Sequence, residues 1–205
     1  MIQLQELRSK IHSKFESVNI SKVLQSKFKT GFENPVSILS DPTYLPFYYY
    51  LGNYLIGCKN LLEFGFWLGM PSGCFIYGCP TIEKFLAFRK KEEKYYAKRL
   101  GISNIHNVLK KKFDLWIGDE TDPEFIKMVL SNKWDCIIVS DTNNDEKTHR
   151  SYLELAWGQT SHNGIIIVDF LDNDYIMSSY KSFCKSQNRE PFLIKTLRGT
   201  GLLQK

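Results

Sequence analysis

The chain lacks most of the features that mark a specialised class of protein. Its 205 residues hold five cysteines, Cys58, Cys74, Cys79, Cys136 and Cys184, an odd number with no Cys-x-x-Cys pair. That pattern argues against a disulfide scaffold or a zinc ribbon, and Cys74 and Cys136, set among apolar residues, are expected to be buried thiols. No apolar run approaches the roughly 20 residues that a membrane-spanning helix needs, so no membrane partner is expected. Residues 1–15 carry Glu6 among basic residues and lack an apolar core followed by small residues. This argues against a secretory signal and makes the cytoplasm the expected location. Internal repeats and low-complexity segments are absent. The charge surplus is only +5, which permits an anionic partner without requiring one.

What is present is the composition of a soluble globular chain, with 43% hydrophobic and 24% charged residues, at a length suited to one domain. Leu4, Leu7, Ile11 and Phe15 recur at helical spacing, with Arg8, Lys10 and Lys14 on the other side, which predicts helix from residue 1 to about 30. Residues 1–40 therefore read as a helical extension to a domain over 41–205. Its apolar stripe needs a partner surface, on its own domain or in a homodimer. Asp41-Pro42 reads as a helix start, with Asp41 as cap, leading into Tyr44, Phe47, Tyr48, Tyr49, Tyr50 and Tyr54. These aromatics are expected to cover a sheet edge; stacking on a base or substrate is the other reading.

From residue 60 onward strands and helices alternate. Strands are expected at 60–64, 84–88, 114–117, 135–140 and 165–170, and helices at 91–100, 123–132, 148–157 and 175–185, followed by an antiparallel hairpin over 191–205. The pattern predicts an α/β, doubly wound, mostly parallel sheet. Such sheets bind ligands at the carboxyl ends of their strands. The informative residues are then Glu63, Gly65, Arg89, Gly118, Asp119, Asp141 and Asp169.

The most telling segment is Leu61-Leu62-Glu63-Phe64-Gly65-Phe66-Trp67-Leu68-Gly69. It reads as a buried strand that breaks into a turn, where two glycines let backbone approach a ligand and the glutamate accepts a hydrogen bond from it. With Trp116-Ile117-Gly118-Asp119, the strand ending Val139-Ser140-Asp141, the strand ending Ile167-Val168-Asp169 and the closing Gly199-Thr200-Gly201-Leu202, the order resembles the class I S-adenosylmethionine-dependent methyltransferase fold, its small-molecule O-methyltransferase-like branch, over residues 45–205.

The resemblance implies a seven-stranded Rossmann-like sheet and S-adenosylmethionine as cofactor. It places Glu63, Gly65 and Gly69 at the methionine part, Arg89 at the ribose position, Gly118 and Asp119 at the adenine, and Asp141 at the reaction centre, with Trp67 of the same turn also among the cofactor-binding residues. The implied partner is a small molecule or sugar. One branch of the family holds a divalent metal such as magnesium on carboxylates matching Asp141 and Asp169, but its third ligand is Phe170 here, which disfavours the metal.

Other positions also depart from the pattern. Arg89 stands where an acidic residue takes the ribose hydroxyls, and a guanidinium has no acceptor. Glu92 or Glu93 taking the ribose, an anionic ligand, and loss of cofactor binding are the functional readings; a solvated helix start paired with Glu92 and Glu93 is the plain one. The family's histidine position is Asn144, and His149 reads as a surface residue that would serve as a base only in its absence. The alternative to a methyltransferase is therefore an inactive scaffold serving as a binding or assembly module. Nucleic acid, suggested only by Lys110-Lys111-Lys112 and the aromatic segment, is not the expected partner.

Overall fold

A computed structural model of the chain describes residues 4–15, 20–28, 41, 43–90, 95–109, 112–119, 121–140 and 145–205. Among these, the strands β1 (Asn60–Phe64), β2 (Lys84–Lys90), β3 (Lys112–Gly118), β4 (Trp134–Val139), β5 (Thr160–Val168), β6 (Phe192–Ile194) and β7 (Thr200–Gln204) form one sheet in the order β3-β2-β1-β4-β5-β7-β6. The first five strands run parallel, and β7 is antiparallel to both β5 and β6. The expected doubly wound sheet with its closing hairpin is present.

The central strands are apolar at nearly every position because helices cover both faces. Leu61, Ile138 and Ile167 face one core cluster, and Leu62, Val139 and Val168 face the other. The helices are α1 (Leu4–Phe15), α2 (Ile20–Lys27), α3 (Tyr44–Tyr54), α4 (Met70–Gly78), α5 (Tyr95–His106), α6 (Pro123–Leu130), α7 (Glu146–Gln159) and α8 (Asp174–Ser186). Of the helix expected from residue 1 to about 30, the described spans Leu4–Phe15 and Ile20–Lys27 are helical. Leu7, Ile11 and Leu24 are buried in the same cluster as α3. Leu4, Leu7 and Ile11 of the apolar stripe are thus packed within the chain.

Several expectations change. The aromatic helix α3 covers a face of the sheet rather than an edge: Tyr44, Phe47 and Tyr48 are buried in the cluster that holds Leu61 and Ile138 of the central strands. Its cap position is Thr43, yet Asp41 still serves the helix end, since its Oδ1 accepts from the N–H groups of Thr43 at 2.7 Å and Tyr44 at 3.0 Å. Pro42 lies outside the described residues. Helix α4 directly follows the glycine turn and has no counterpart in the sequence reading, because it is buried on most sides and so shows no amphipathic period. Strand β2 runs two residues further than expected, so Arg89 lies within the strand and is buried. It is not part of a solvated helix start.

Candidate active site

The sheet order reverses between β1 and β4, and there the strand ends converge. Gly65 and Phe66 N–H both donate to Phe88 O, Ser140 N–H donates to Phe64 O, and Asp169 N–H donates to Val139 O. The carboxyl ends of β1, β2, β4 and β5 are thereby held level.

Glu63 is the most unusual residue there. It is fully buried, on the side of β1 covered by α3 and α4, and neither of its carboxyl oxygens has a hydrogen-bond partner. Ser72, in the first turn of α4, faces it without forming a well-made hydrogen bond. Burial pushes its carboxyl up to about 8, with the nearby Asp169 adding in the same direction. A buried carboxyl without partners is costly whether charged or neutral. A cation brought against it would relieve that cost.

Asp169 follows β5 and is also buried. Its Oδ2 accepts from the Tyr44 hydroxyl and its Oδ1 from the Phe170 N–H. Burial raises it to about 6, against the pull of these hydrogen bonds and of Arg198. Tyr48, whose hydroxyl is buried near Asp169, and Tyr44 are both held well above the usual phenol range, chiefly by burial. Two carboxyls and two phenols thus share one interior cluster at the carboxyl ends of β1 and β5.

The glycines have structural work of their own. Gly65 has φ +92°, and a Cβ there would lie 1.8 Å from the Ser140 carbonyl oxygen. Gly69 has φ +63°, and a Cβ there would lie 2.8 Å from the Phe66 ring. Both positions require glycine for backbone shape and for contact with the protein itself. Trp67, between them, is exposed. Gly118 ends β3, paired with Lys90. Asp119 is exposed, and its Oδ1 accepts from the N–H of Thr121 at 2.8 Å and its hydroxyl at 2.7 Å, a turn that leads into α6. Asp141, Asn144, Glu92 and Glu93 lie outside the described residues.

His149 is not on the surface. It is buried on α7, both ring nitrogens lack hydrogen-bond partners, and burial lowers it to about 4. It is therefore neutral across the physiological range.

A divalent metal does not fit the residues described. Both oxygens of Asp169 accept hydrogen bonds from the protein, and Phe170 carries the Arg198 guanidinium 4.0 Å from its ring centroid. Among the described residues no cluster of His, Cys, Asp or Glu is placed to hold a metal. S-adenosylmethionine, by contrast, suits the site: it is cationic at both sulfur and ammonium, and the buried Glu63 offers two free acceptor oxygens.

No protein-family profile and no curated sequence matches this chain. Solved structures do match its fold. An O-methyltransferase from Bacillus cereus in complex with S-adenosylhomocysteine superposes with TM-score 0.64 at 15% identity, covering 99% of this chain and 100% of the other. An O-methyltransferase from Streptomyces achromogenes involved in tomaymycin synthesis, in complex with S-adenosylmethionine, gives 0.62 at 11%, covering 98% of both chains. The TDP-rhamnose 3'-O-methyltransferase of calicheamicin biosynthesis gives 0.57 at 14%, covering 98% of this chain and 93% of the other. The chain therefore has the class I methyltransferase fold along nearly its whole length.

Proposed function

We propose that the chain binds S-adenosylmethionine across the carboxyl ends of β1 to β4 and transfers its methyl group to a hydroxyl of a small molecule or sugar. The observation that carries this reading is Glu63, a buried carboxyl with no partner at the switch point of a methyltransferase sheet. When bound, the cofactor supplies an electrophilic methyl group.

Each residue then has a role. Glu63, once ionised, accepts hydrogen bonds from the cofactor's ammonium. Gly65 and Gly69 hold the turn that presents it, and Trp67 offers an apolar ring beside that turn. Gly118 and Asp119 border the adenine. We assign to Asp169, fixed by Tyr44, the removal of the acceptor hydroxyl's proton, which requires the hydroxyl to displace one of its present hydrogen-bond donors; its raised proton affinity suits a base working near neutrality. We assign Asp141, at the end of β4, to the same reaction centre. Alignment of donor and acceptor supplies most of the rate. The five thiols, all free, suit the reducing cytoplasm.

A retired scaffold is the second reading, favoured by one observation: the buried Arg89 near the expected ribose position, which offers no acceptor to a ribose hydroxyl. The experiment that separates the two readings is incubation with methyl-labelled S-adenosylmethionine and a panel of phenols, catechols and nucleotide sugars, with and without EDTA. Label transfer that EDTA leaves intact is the expected result. No transfer to any acceptor, from a folded protein that also fails to bind the cofactor, favours the scaffold.

A further inference from the structure

The turn between β6 and β7 borders the proposed reaction centre. Strand β7 is antiparallel to both β5 and β6, so β6 runs with β5 and its carboxyl end lies at the end of the sheet that carries Asp169. The turn is laced to the chain that leaves β5. Leu171 N–H donates to Gly199 O at 3.1 Å, and Asp172 N–H donates to Arg198 O at 3.0 Å.

On this turn the Arg198 guanidinium lies over the Phe170 ring, 4.0 Å from its centroid. Phe170 is held firmly. Its φ is +63°, a shape that a bulky residue adopts only where its surroundings impose it. Its N–H donates to Asp169 Oδ1 at 2.9 Å, and its carbonyl accepts from Asn173 N–H at 3.0 Å. The ring is a fixed platform, and the attraction between ring and cation keeps Arg198 beside it. The guanidinium charge reaches Asp169 and Tyr44, drawing the proton affinity of each down against the burial that raises it.

The hydrogen-bonding capacity of Arg198 is barely used. Its Nε is buried and lies 3.2 Å from Asp172 Oδ2, yet makes no well-aligned hydrogen bond. Among the described residues its terminal nitrogens have no hydrogen-bond partner, and the side chain is 31% exposed. The Asp172 side chain is 47% exposed, so water screens the ion pair and leaves it weak. A ligand oxyanion can share the guanidinium with Asp172 or displace it. Asp169 is buried and already accepts hydrogen bonds at both oxygens.

Given the methyltransferase reading, we propose that Arg198, laid on Phe170, holds an anionic group of the methyl acceptor, a carboxylate or a phosphate, while the acceptor's hydroxyl is turned towards Asp169. The substrate class narrows from hydroxyl compounds in general to acids or phosphate esters among them. A guanidinium suits both anions, because its planar N–H fork matches their paired oxygens. A tether that merely joins two segments would show no preference for anions.

The test is NMR titration of the full chain at pH 7.5 with two matched pairs, catechol against 3,4-dihydroxybenzoate and glucose against glucose 1-phosphate. S-adenosylhomocysteine is present throughout, so that no methyl transfer occurs. The anionic member of at least one pair should bind about tenfold tighter or more, shifting the Phe170 and Arg198 amide signals, and the ratio should fall to near one in Arg198→Gln. The pair that shows the preference tells carboxylate from phosphate. Equal affinity within both pairs, no binding by any of the four, or a preference that survives in folded Arg198→Gln overturns the proposal. Where the variant fails to fold, the wild-type ratios and the site of the shifts decide. Label transfer from S-adenosylmethionine to the same four compounds keeps the two readings apart. Transfer with no preference in binding overturns the anion site alone, whereas a preference without transfer counts against the methyltransferase and leaves the anion site standing.

Discussion

The Tyr44 hydroxyl donates to Oδ2 of Asp169, joining the first turn of α3 to the carboxyl end of β5 across 125 positions of sequence. The helix that precedes the sheet thus fixes the carboxyl proposed to receive the acceptor's proton. Tyr44→Phe leaves that oxygen buried without a partner and is expected to cost about 1–3 kcal/mol of stability. Because the lost hydrogen bond favours the ionised carboxylate, Asp169 then holds its proton to higher pH. The rate of methyl transfer, which should fall as pH drops through about 6 in the wild type, should fall at higher pH in the variant. Urea denaturation and a pH–rate profile check the two parts.

Glu63 sets a second pH dependence. Its folded-state value of about 8 lies above the ordinary 4.5, so the folded chain binds a proton there that the unfolded chain releases. Stability from this group is full below pH 4.5 and is lost as pH rises through about 8. Glu63→Gln, which mimics the neutral form, should flatten that loss by about 4 kcal/mol between pH 5 and 9. Denaturation midpoints at pH 5, 7 and 9 for both chains measure it.

His149 gives the opposite sign. Held at about 4 against an ordinary 6.5, it refuses a proton that the unfolded chain accepts, so its contribution is lost as pH falls from 6.5 towards 4. His149→Leu should remove a loss on the order of 2–3 kcal/mol at acid pH and leave stability near neutrality unchanged or higher. The pH dependence of urea midpoints between pH 4 and 7.5 tests this.

Gly65→Ala forces a Cβ to within 1.8 Å of the Ser140 carbonyl oxygen at φ +92°. It should destabilise by about 3 kcal/mol or more, if the chain folds at all. Gly158→Ala, on α7 with no atom within 4 Å of the added carbon, should stabilise by about 0.5 kcal/mol. Thermal melts of the two variants make the comparison.

The sheet was legible in the sequence because its strands are short apolar runs ended by turn residues and separated by amphipathic helices such as Pro123–Leu130. Glu63, Gly65 and Gly69 were legible because only a few residue types suit a strand that breaks into such a turn. Their surroundings were not. That Glu63 has no partner depends on where α3 and α4 pack, and Tyr44 meets Asp169 only through the tertiary fold. Helix α4 hid behind Pro71 and Gly73, which read as loop residues, and behind burial that removes any polar face. His149 read as surface because its neighbours Lys147, Thr148 and Arg150 are polar, and periodicity over so short a stretch does not show which side faces inward.

The most direct measurement is isothermal titration of S-adenosylmethionine into the wild type and Glu63→Gln at pH 8. The account predicts micromolar binding to the wild type and binding about 10- to 100-fold weaker to the variant, the loss of one charge-assisted hydrogen-bonding group, with both proteins folded. No binding to the folded wild type, or equal affinity in the two, would contradict it.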